Sequence, residues 1–75
     1  MNFADAAVQV LRESGGPLPI AEITRRALKQ GLIIAKSDDP ATYVRAAIRK
    51  DNRRRESRNE PARFRLVSPG VYSLS

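Results

Sequence analysis

Four groups of chain-breaking residues divide the sequence into short segments, and they constrain the fold more strongly than any other feature. Each favours a turn or a helix boundary, and they are Ser14–Pro17, Gly31, Asp39-Pro40 and Ser68–Gly70. The whole chain has 75 residues, which is enough for one domain that hides only about 60% of its unfolded surface. The apolar residues must therefore be buried by packing several short elements around one modest core.

Two helices are predicted before residue 31. Apolar residues recur at the spacing of one helix face between Phe3 and Glu13. They are Phe3, Ala6, Ala7, Val10 and Leu11. Asn2 suits the N-cap of this first helix. The second helix is predicted over about Ile20–Gln30, and Gly31 can end it in the left-handed conformation.

A third helix is predicted from Pro40 to about residue 53, because Asp39 suits an N-cap and proline suits the first helical position. Successive residues of a helix are rotated by about 100°, which turns Val44 and Ile48 towards the core. The outward face then consists of Thr42, Ala46, Arg49 and Arg53, flanked by Tyr43, Arg45 and Lys50. The outward face of this helix therefore carries small and basic side chains.

Two segments have no clear assignment. Leu32-Ile33-Ile34 is apolar but too short to distinguish a strand from a buried loop. Arg53–Pro61 contains no apolar residue, so a packed element is not expected there. We predict that it is a frayed helix end or a mobile loop.

The C-terminal residues predict an antiparallel β-hairpin. Phe64 and Leu66 alternate with charged residues, Ser68–Gly70 supplies a turn, and Val71–Leu74 alternates again. A positive φ is expected at Gly70, the third turn position. The predicted core of the whole chain is Phe3, Val10, Leu11, Ile20, Ile23, Leu28, Val44, Ile48, Phe64, Leu66 and Leu74.

The composition argues against an enzyme. The sequence has no cysteine and no histidine, which removes disulfides, the usual zinc ligands and imidazole catalysis. The carboxylates of Asp38 and Asp39 point apart in a loop, and Glu56 and Glu60 lie among arginines. No serine has a base beside it. We therefore expect no catalysis, no metal and no cofactor.

The charge favours a polyanionic partner. Fourteen Lys and Arg residues face eight Asp and Glu residues, for a net charge of +6, and arginines outnumber lysines. The planar fork of arginine suits phosphate and guanine edges. No apolar run is long enough to cross a membrane. We expect a soluble cytoplasmic protein that binds nucleic acid and no membrane.

Three helices followed by a C-terminal two-stranded β-hairpin are the order of a winged helix-turn-helix, a mostly helical α+β fold. The residues also resemble the HARE-HTH domain family, a winged-helix module found beside restriction endonucleases and in chromatin proteins. The resemblance covers nearly the whole chain. It rests on Phe3–Ala7, Val10-Leu11, Pro17-Leu18, Glu22-Ile23, Ala27-Leu28, Gly31–Ile33, Arg63-Phe64 and Pro69–Leu74.

The resemblance implies a single DNA-binding domain over residues 1–75, without catalysis and most often part of a larger protein. Double-stranded DNA is then the expected partner. A second hypothesis is a winged helix that docks onto a larger enzyme such as a polymerase or nuclease. The delta subunit of bacterial RNA polymerase is similar to this family and binds protein. DNA binding needs an arginine-rich face on the third helix, whereas protein docking needs an exposed apolar patch.

The DNA hypothesis assigns roles to individual residues, with the third helix in the major groove. The candidates for contacts with base edges are Thr42, Arg45, Ala46 and Arg49. The candidates for contacts with phosphates are Tyr43, Lys50, Arg53, Arg54, Arg55, Arg58, Arg63 and Arg65. Three further cations, Arg25, Arg26 and Lys36, are weaker phosphate candidates. Arg49 is the strongest base-edge candidate because its fork can pair with guanine O6 and N7.

Overall fold

The computed structural model describes residues 1–75, and its elements follow the predicted order with one addition. They are α1 (Phe3–Ser14), β1 (Leu18–Pro19), α2 (Ile20–Lys29), α3 (Pro40–Ser57), β2 (Phe64–Ser68) and β3 (Val71–Leu74). The strands form one antiparallel sheet in the order β1-β3-β2. The predicted mostly helical α+β fold of the winged-helix type is confirmed.

The helix boundaries arise from the capping residues that the sequence indicates. The Asn2 side chain accepts a 2.7 Å hydrogen bond from the Asp5 amide, and Gly15 ends α1 with φ 72°. The carboxylate of Asp39 accepts from the amide of Thr42 at 3.4 Å and from its hydroxyl at 2.6 Å. Pro40 occupies the first turn of α3, where its missing N–H costs nothing.

The C-terminal part of α3 corrects the sequence prediction. The helix continues to Ser57, so the predicted end near residue 53 is wrong, and residues 53–57 are helical rather than a loop. Arginine is a good helix former, and Arg55 is anchored by an ion pair one turn back, to Asp51 at 3.2 Å. A polar segment can therefore stay helical without burying an apolar side chain.

The sheet contains a third strand that the sequence did not suggest. The two-residue strand β1 pairs with β3, so β3 is the central strand and the C-terminal hairpin is not an isolated ribbon. Pro19 is tolerated because β1 lies at the edge of the sheet. The amide of Ile20, the first of α2, donates to the carbonyl of Gly70 at 2.8 Å. Gly70 has φ 75°, which confirms the positive φ expected at the turn.

The core lies between the three helices and one face of the sheet. Ten of the eleven predicted core residues are buried or half-buried, with Val10, Ile23 and Ile48 fully enclosed. Leu66 is the exception: it is 58% exposed, because β2 leaves the helices after its first residue, Phe64. The ring of Tyr72, directly opposite Leu66 in register, is buried in the core instead.

The segment after α2 is a loop rather than a strand. Ile33 is buried in the core, whereas its neighbour Ile34 is 72% exposed. One side chain thus anchors the connection between α2 and α3. This resolves the open choice between a strand and a buried loop in favour of an irregular segment with a single apolar anchor.

Candidate nucleic-acid interface

An open groove of about 720 Å³ lies between α3 and the β2–β3 hairpin. The hairpin side of this groove consists of Leu66 and Tyr72. The helix side consists of Arg45, Arg49, Asn52, Arg53 and Glu56. Three guanidinium groups against one carboxylate make the groove basic.

The three groove arginines have no carboxylate partner. The ion pairs of the molecule use four cations, Arg25, Arg26, Arg55 and Arg63, which leaves the other ten of the fourteen Lys and Arg residues unpaired. Seven of these ten lie on α3 or the segment after it: Arg45, Arg49, Lys50, Arg53, Arg54, Arg58 and Arg65. Uncompensated positive charge on one region of a surface attracts a polyanion.

The outward face of α3 has three parallel strips, which follow from the rotation of about 100° per residue. The middle strip carries Thr42 and Ala46, both exposed, so that little side-chain bulk covers the helix backbone there. The groove arginines follow one i, i+4 row, which starts on the hairpin side at Arg45 and reaches the middle strip at Arg53, beside Thr42 and Ala46. A third strip on the far side carries Tyr43, Lys50 and Arg54, all exposed.

Two predicted phosphate candidates are instead bound to a buried carboxylate. Asp51 is 8% exposed, and the Arg63 guanidinium pairs with both of its oxygens, Nη2 with Oδ1 at 2.8 Å and Nε with Oδ2 at 3.2 Å. Arg55 Nε reaches the same Oδ2 at 3.2 Å. Arg63 Nη1 also lies 3.2 Å from Asp5 Oδ1. These four residues, the acid clamp, join α1, α3 and the start of β2.

The acid clamp keeps its carboxylate ionised. Burial alone raises the pKa of Asp51, but the hydrogen bonds and charges of Arg63 and Arg55 outweigh burial and lower this pKa below its ordinary value of 3.8. The same hydrogen bond raises the pKa of Arg63. The pair of Asp51 and Arg63 is therefore fully charged at neutral pH.

A second tether lies beside the clamp. Asn52 Nδ2 donates to the carbonyl of Phe64 at 3.2 Å. Consecutive residues of α3, Asp51 and Asn52, thus hold the consecutive residues Arg63 and Phe64. These contacts fix the start of β2 against α3 and so set the width of the groove.

The remaining predicted residues lie around the groove rather than in it. Arg65 pairs in register with Ser73, whereas Leu66 pairs with Tyr72, so Arg65 lies on the sheet face opposite the groove. Arg58 is the C-cap of α3. The structure therefore brings together three of the predicted arginines and distributes the others over the helix end and the hairpin.

Two of the three cations of α2 are ion-paired. Glu22 forms ion pairs with both Arg25 and Arg26. The hydrogen bond from Arg25, followed by that from Arg26, lowers the pKa of Glu22 to about 2. Arg25 and Arg26, two of the weaker phosphate candidates, share one carboxylate, whereas the groove arginines have no carboxylate partner.

Sequence reasoning missed the residues that shape the groove. Asp51 lies four residues before Arg55 on a helix, a spacing that signals an ion pair, but the predicted end of α3 near residue 53 separated the two. Asn52 and Tyr72 carry no local signal, because their roles depend on how α3 meets the sheet.

A small apolar pocket of about 280 Å³ lies away from the groove, at the start of α3. Its walls include Phe3, Ile34, Pro40 and Tyr43, and Lys36 stands at its edge. Ile34 and Tyr43 are 72% and 58% exposed. This is an exposed apolar surface of the kind that the protein-docking hypothesis requires.

No three acidic side chains come together as a metal site would require, and none of the helices is both long and apolar enough to span a membrane.

Comparison with known proteins gives one match. The family model of HARE-HTH, a helix-turn-helix domain whose description includes ASXL and restriction endonucleases, matches residues 1–75. This helix-turn-helix family generally binds DNA and is not catalytic. Neither the curated proteins nor the solved structures contain a match to the chain.

Proposed function

The chain belongs to the HARE-HTH family, and we propose that it is a non-catalytic module that binds double-stranded DNA through α3. In this proposal α3 lies in the major groove, with the residues after it and the hairpin on the phosphate backbone. In this proposal residues 1–75 form a single DNA-binding domain.

The observation that carries the proposal is the uncompensated charge of α3. Arg45, Arg49 and Arg53 follow one another at intervals of four residues on the same side of the helix, and none has a carboxylate partner. Like charges at this spacing destabilise a helix by about 0.2–0.5 kcal/mol for each pair. A polyanion removes that repulsion, so the strip favours the bound state.

The strips suggest separate roles. We assign Thr42, Ala46 and Arg49 to base edges, with Arg45 beside them, because small residues let a helix approach the bases while arginine pairs with guanine. We assign Tyr43, Lys50 and Arg54 to phosphates on the side of the DNA major groove that lies away from the hairpin. Arg53, Arg58 and Arg65 complete the proposed phosphate contacts.

The acid clamp gives Arg55 and Arg63 a different task in this proposal. Both guanidinium groups are already bound to Asp51. They are proposed to support DNA binding by holding the hairpin in place, with their remaining N–H groups as secondary phosphate contacts.

A titration of labelled duplex DNA at several salt concentrations tests the proposal. Engagement of about four to six cations gives a slope of log K against log [salt] of about −4 to −5. A micromolar Kd at low salt is the expected scale for a single module. A domain that is folded by NMR yet binds no duplex at low ionic strength would overturn the proposal. Single-stranded DNA and RNA serve as comparison ligands.

Docking onto a protein is the second candidate function, and the apolar pocket beside Tyr43 supports it. Replacing Ile34 with aspartate places a charge on this exposed surface without touching the core. The DNA proposal expects duplex affinity to be nearly unchanged by Ile34→Asp. A wild-type domain that is folded but binds no duplex DNA would instead favour protein docking through this pocket.

A further inference from the structure

We infer that the hydroxyl of Tyr72 donates a hydrogen bond to a backbone phosphate of DNA, in a subsite between α3 and the hairpin that moves Arg45 from the base edges to this phosphate. The inference rests on the proposed function and adds a neutral donor to its contacts. It assigns a binding role to a residue that otherwise belongs to the core.

The position of the Tyr72 hydroxyl is the first observation. Tyr72 is 6% exposed, and its side chain makes no hydrogen bond within the protein. Asn52 Oδ1 is the one buried side-chain polar atom that lacks a partner, so the Tyr72 hydroxyl must reach solvent. Tyr72 lines the groove, and the proposal places its hydroxyl at the groove surface.

The chemistry of the surroundings selects an anion. The Tyr72 hydroxyl reaches solvent and has no partner within the protein, so it is free to donate to a ligand. The same groove is lined by Arg45, Arg49 and Arg53, whose guanidinium groups only donate, against the single carboxylate of Glu56. A group that accepts from several donors at once and carries negative charge fits this set, and a phosphodiester does both.

The place of the subsite favours phosphate over a base. The middle strip of α3 is the part that reaches base edges when the helix lies in the major groove of DNA. Tyr72 lies at the side of the helix, between α3 and the hairpin, where the proposed docking puts a DNA strand that borders the major groove. Leu66, opposite Tyr72 in register and 58% exposed, offers an apolar contact for the sugar of that strand.

The subsite is also rigid. Tyr72 lies in the central strand, paired with Leu18 on one side and Leu66 on the other. The tethers from Asp51 and Asn52 fix the hairpin against α3. A preorganised donor loses little conformational entropy on binding, so a single neutral hydrogen bond can contribute measurably.

The test is Tyr72→Phe, which removes the hydroxyl and keeps the ring in the core. We expect the Kd for duplex DNA to rise about three- to tenfold, by the same factor for several unrelated duplexes, with an unchanged Tm. The salt slope should stay at its wild-type value because no charge is lost, whereas Arg45→Ala should reduce it by about one unit. A shared phosphate also predicts that the two substitutions are not additive.

The matched control is Ser73→Ala, which removes a hydroxyl from the next residue of the same strand. Ser73 lies on the opposite sheet face, and its hydroxyl bonds only to the carbonyl of Leu74 at 3.3 Å. Duplex affinity should not change in this variant.

The outcomes separate the inference from the function on which it rests. A wild-type domain that binds no duplex refutes the proposed function. A wild-type domain that binds, with equal affinity in Tyr72→Phe, refutes the Tyr72 contact alone. A Tm that falls together with the affinity would show a structural role for the hydroxyl, and a loss that varies with DNA sequence would show a base contact. Either result overturns the phosphate assignment.

Discussion

Two groups of arginines on and near α3 differ in what they face. Arg55, together with Arg63 from the hairpin, is bound to the buried carboxylate of Asp51. Arg45, Arg49 and Arg53 lie on the same helix, line an open groove and have no acidic partner. One type of side chain thus holds the fold together in one place and leaves charge for a ligand in the other.

The cause of this difference is the position of a single acid. Asp51 lies one turn before Arg55, on the face of α3 that carries Val44 and Ile48, so the ion pair forms at the edge of the core. The groove arginines are rotated away from that face and cannot reach it. Glu56 also lines the groove, yet it forms no ion pair with them.

Removing the buried acid should produce the largest effect. Asp51→Ala leaves two guanidinium groups without their partner in a partly buried site, and we expect the free energy of unfolding to fall by about 2–3 kcal/mol. Urea denaturation measures this change. The control is Asp5→Ala, because Asp5 is more exposed and contacts only Arg63 among the arginines. The Asp5→Ala substitution should lower the free energy of unfolding by clearly less, about 1 kcal/mol or below. Equal effects of both substitutions would show that Asp51 is not the centre of the clamp.

The next effect concerns DNA affinity, which should depend on the groove arginines more than on the clamped ones. Arg49→Ala should weaken duplex binding by about 1–3 kcal/mol and flatten the preference at one base position, while leaving Tm close to wild type. Arg55→Ala should do the opposite, with a lower Tm and a smaller loss of affinity at a temperature where the domain is folded. Fluorescence anisotropy and thermal melting of the same two proteins measure both quantities. If Arg55→Ala weakens binding as strongly as Arg49→Ala, the division into two groups fails.

The clamp should also respond to acid. The pKa of Asp51 is lowered in the folded protein, so its contribution is complete above the unfolded value near 3.8 and is lost as the pH falls through the folded pKa. We therefore expect the Tm difference between wild type and Asp51→Asn to be constant from pH 7 to about pH 5 and to narrow below about pH 4. Glu22, with a pKa of about 2, titrates in both proteins and cancels in this difference. A Tm difference that stays constant down to pH 2 would mean that the charge of Asp51 does not contribute to the stability of the folded protein.

The two groups also show how far the sequence could predict this molecule. The helix starts, the turn at Gly70 and ten of eleven core residues follow from local signals, namely capping residues, glycine conformation and apolar spacing. The outward position of Arg49 also follows, because helix rotation is fixed. The clamp as a whole does not, because only its Asp51–Arg55 pair has a local spacing, whereas Arg63 and Asp5 lie far from Asp51 in the chain. The exposure of Leu66 likewise depends on where β2 leaves the helices, which no local pattern encodes.

The smallest expected effect tests whether the groove arginines cost the fold anything when no ligand is bound. Arg49 lies four residues from both Arg45 and Arg53, so Arg49→Gln removes two repulsive pairs and substitutes a residue of similar helix propensity. We expect the free energy of unfolding to rise by about 0.5 kcal/mol at low salt, and the gain to disappear near 1 M salt because the repulsion is screened. Arg55→Gln is the matched control, and it should lower stability at both salt concentrations because it breaks the pair with Asp51. Opposite signs for these two substitutions, made six residues apart on one helix, would establish that the groove arginines oppose folding while the clamped arginine supports it. A loss of stability in Arg49→Gln would instead show that Arg49 has a structural partner, and the uncompensated charge on which the proposed DNA contact depends would no longer be available.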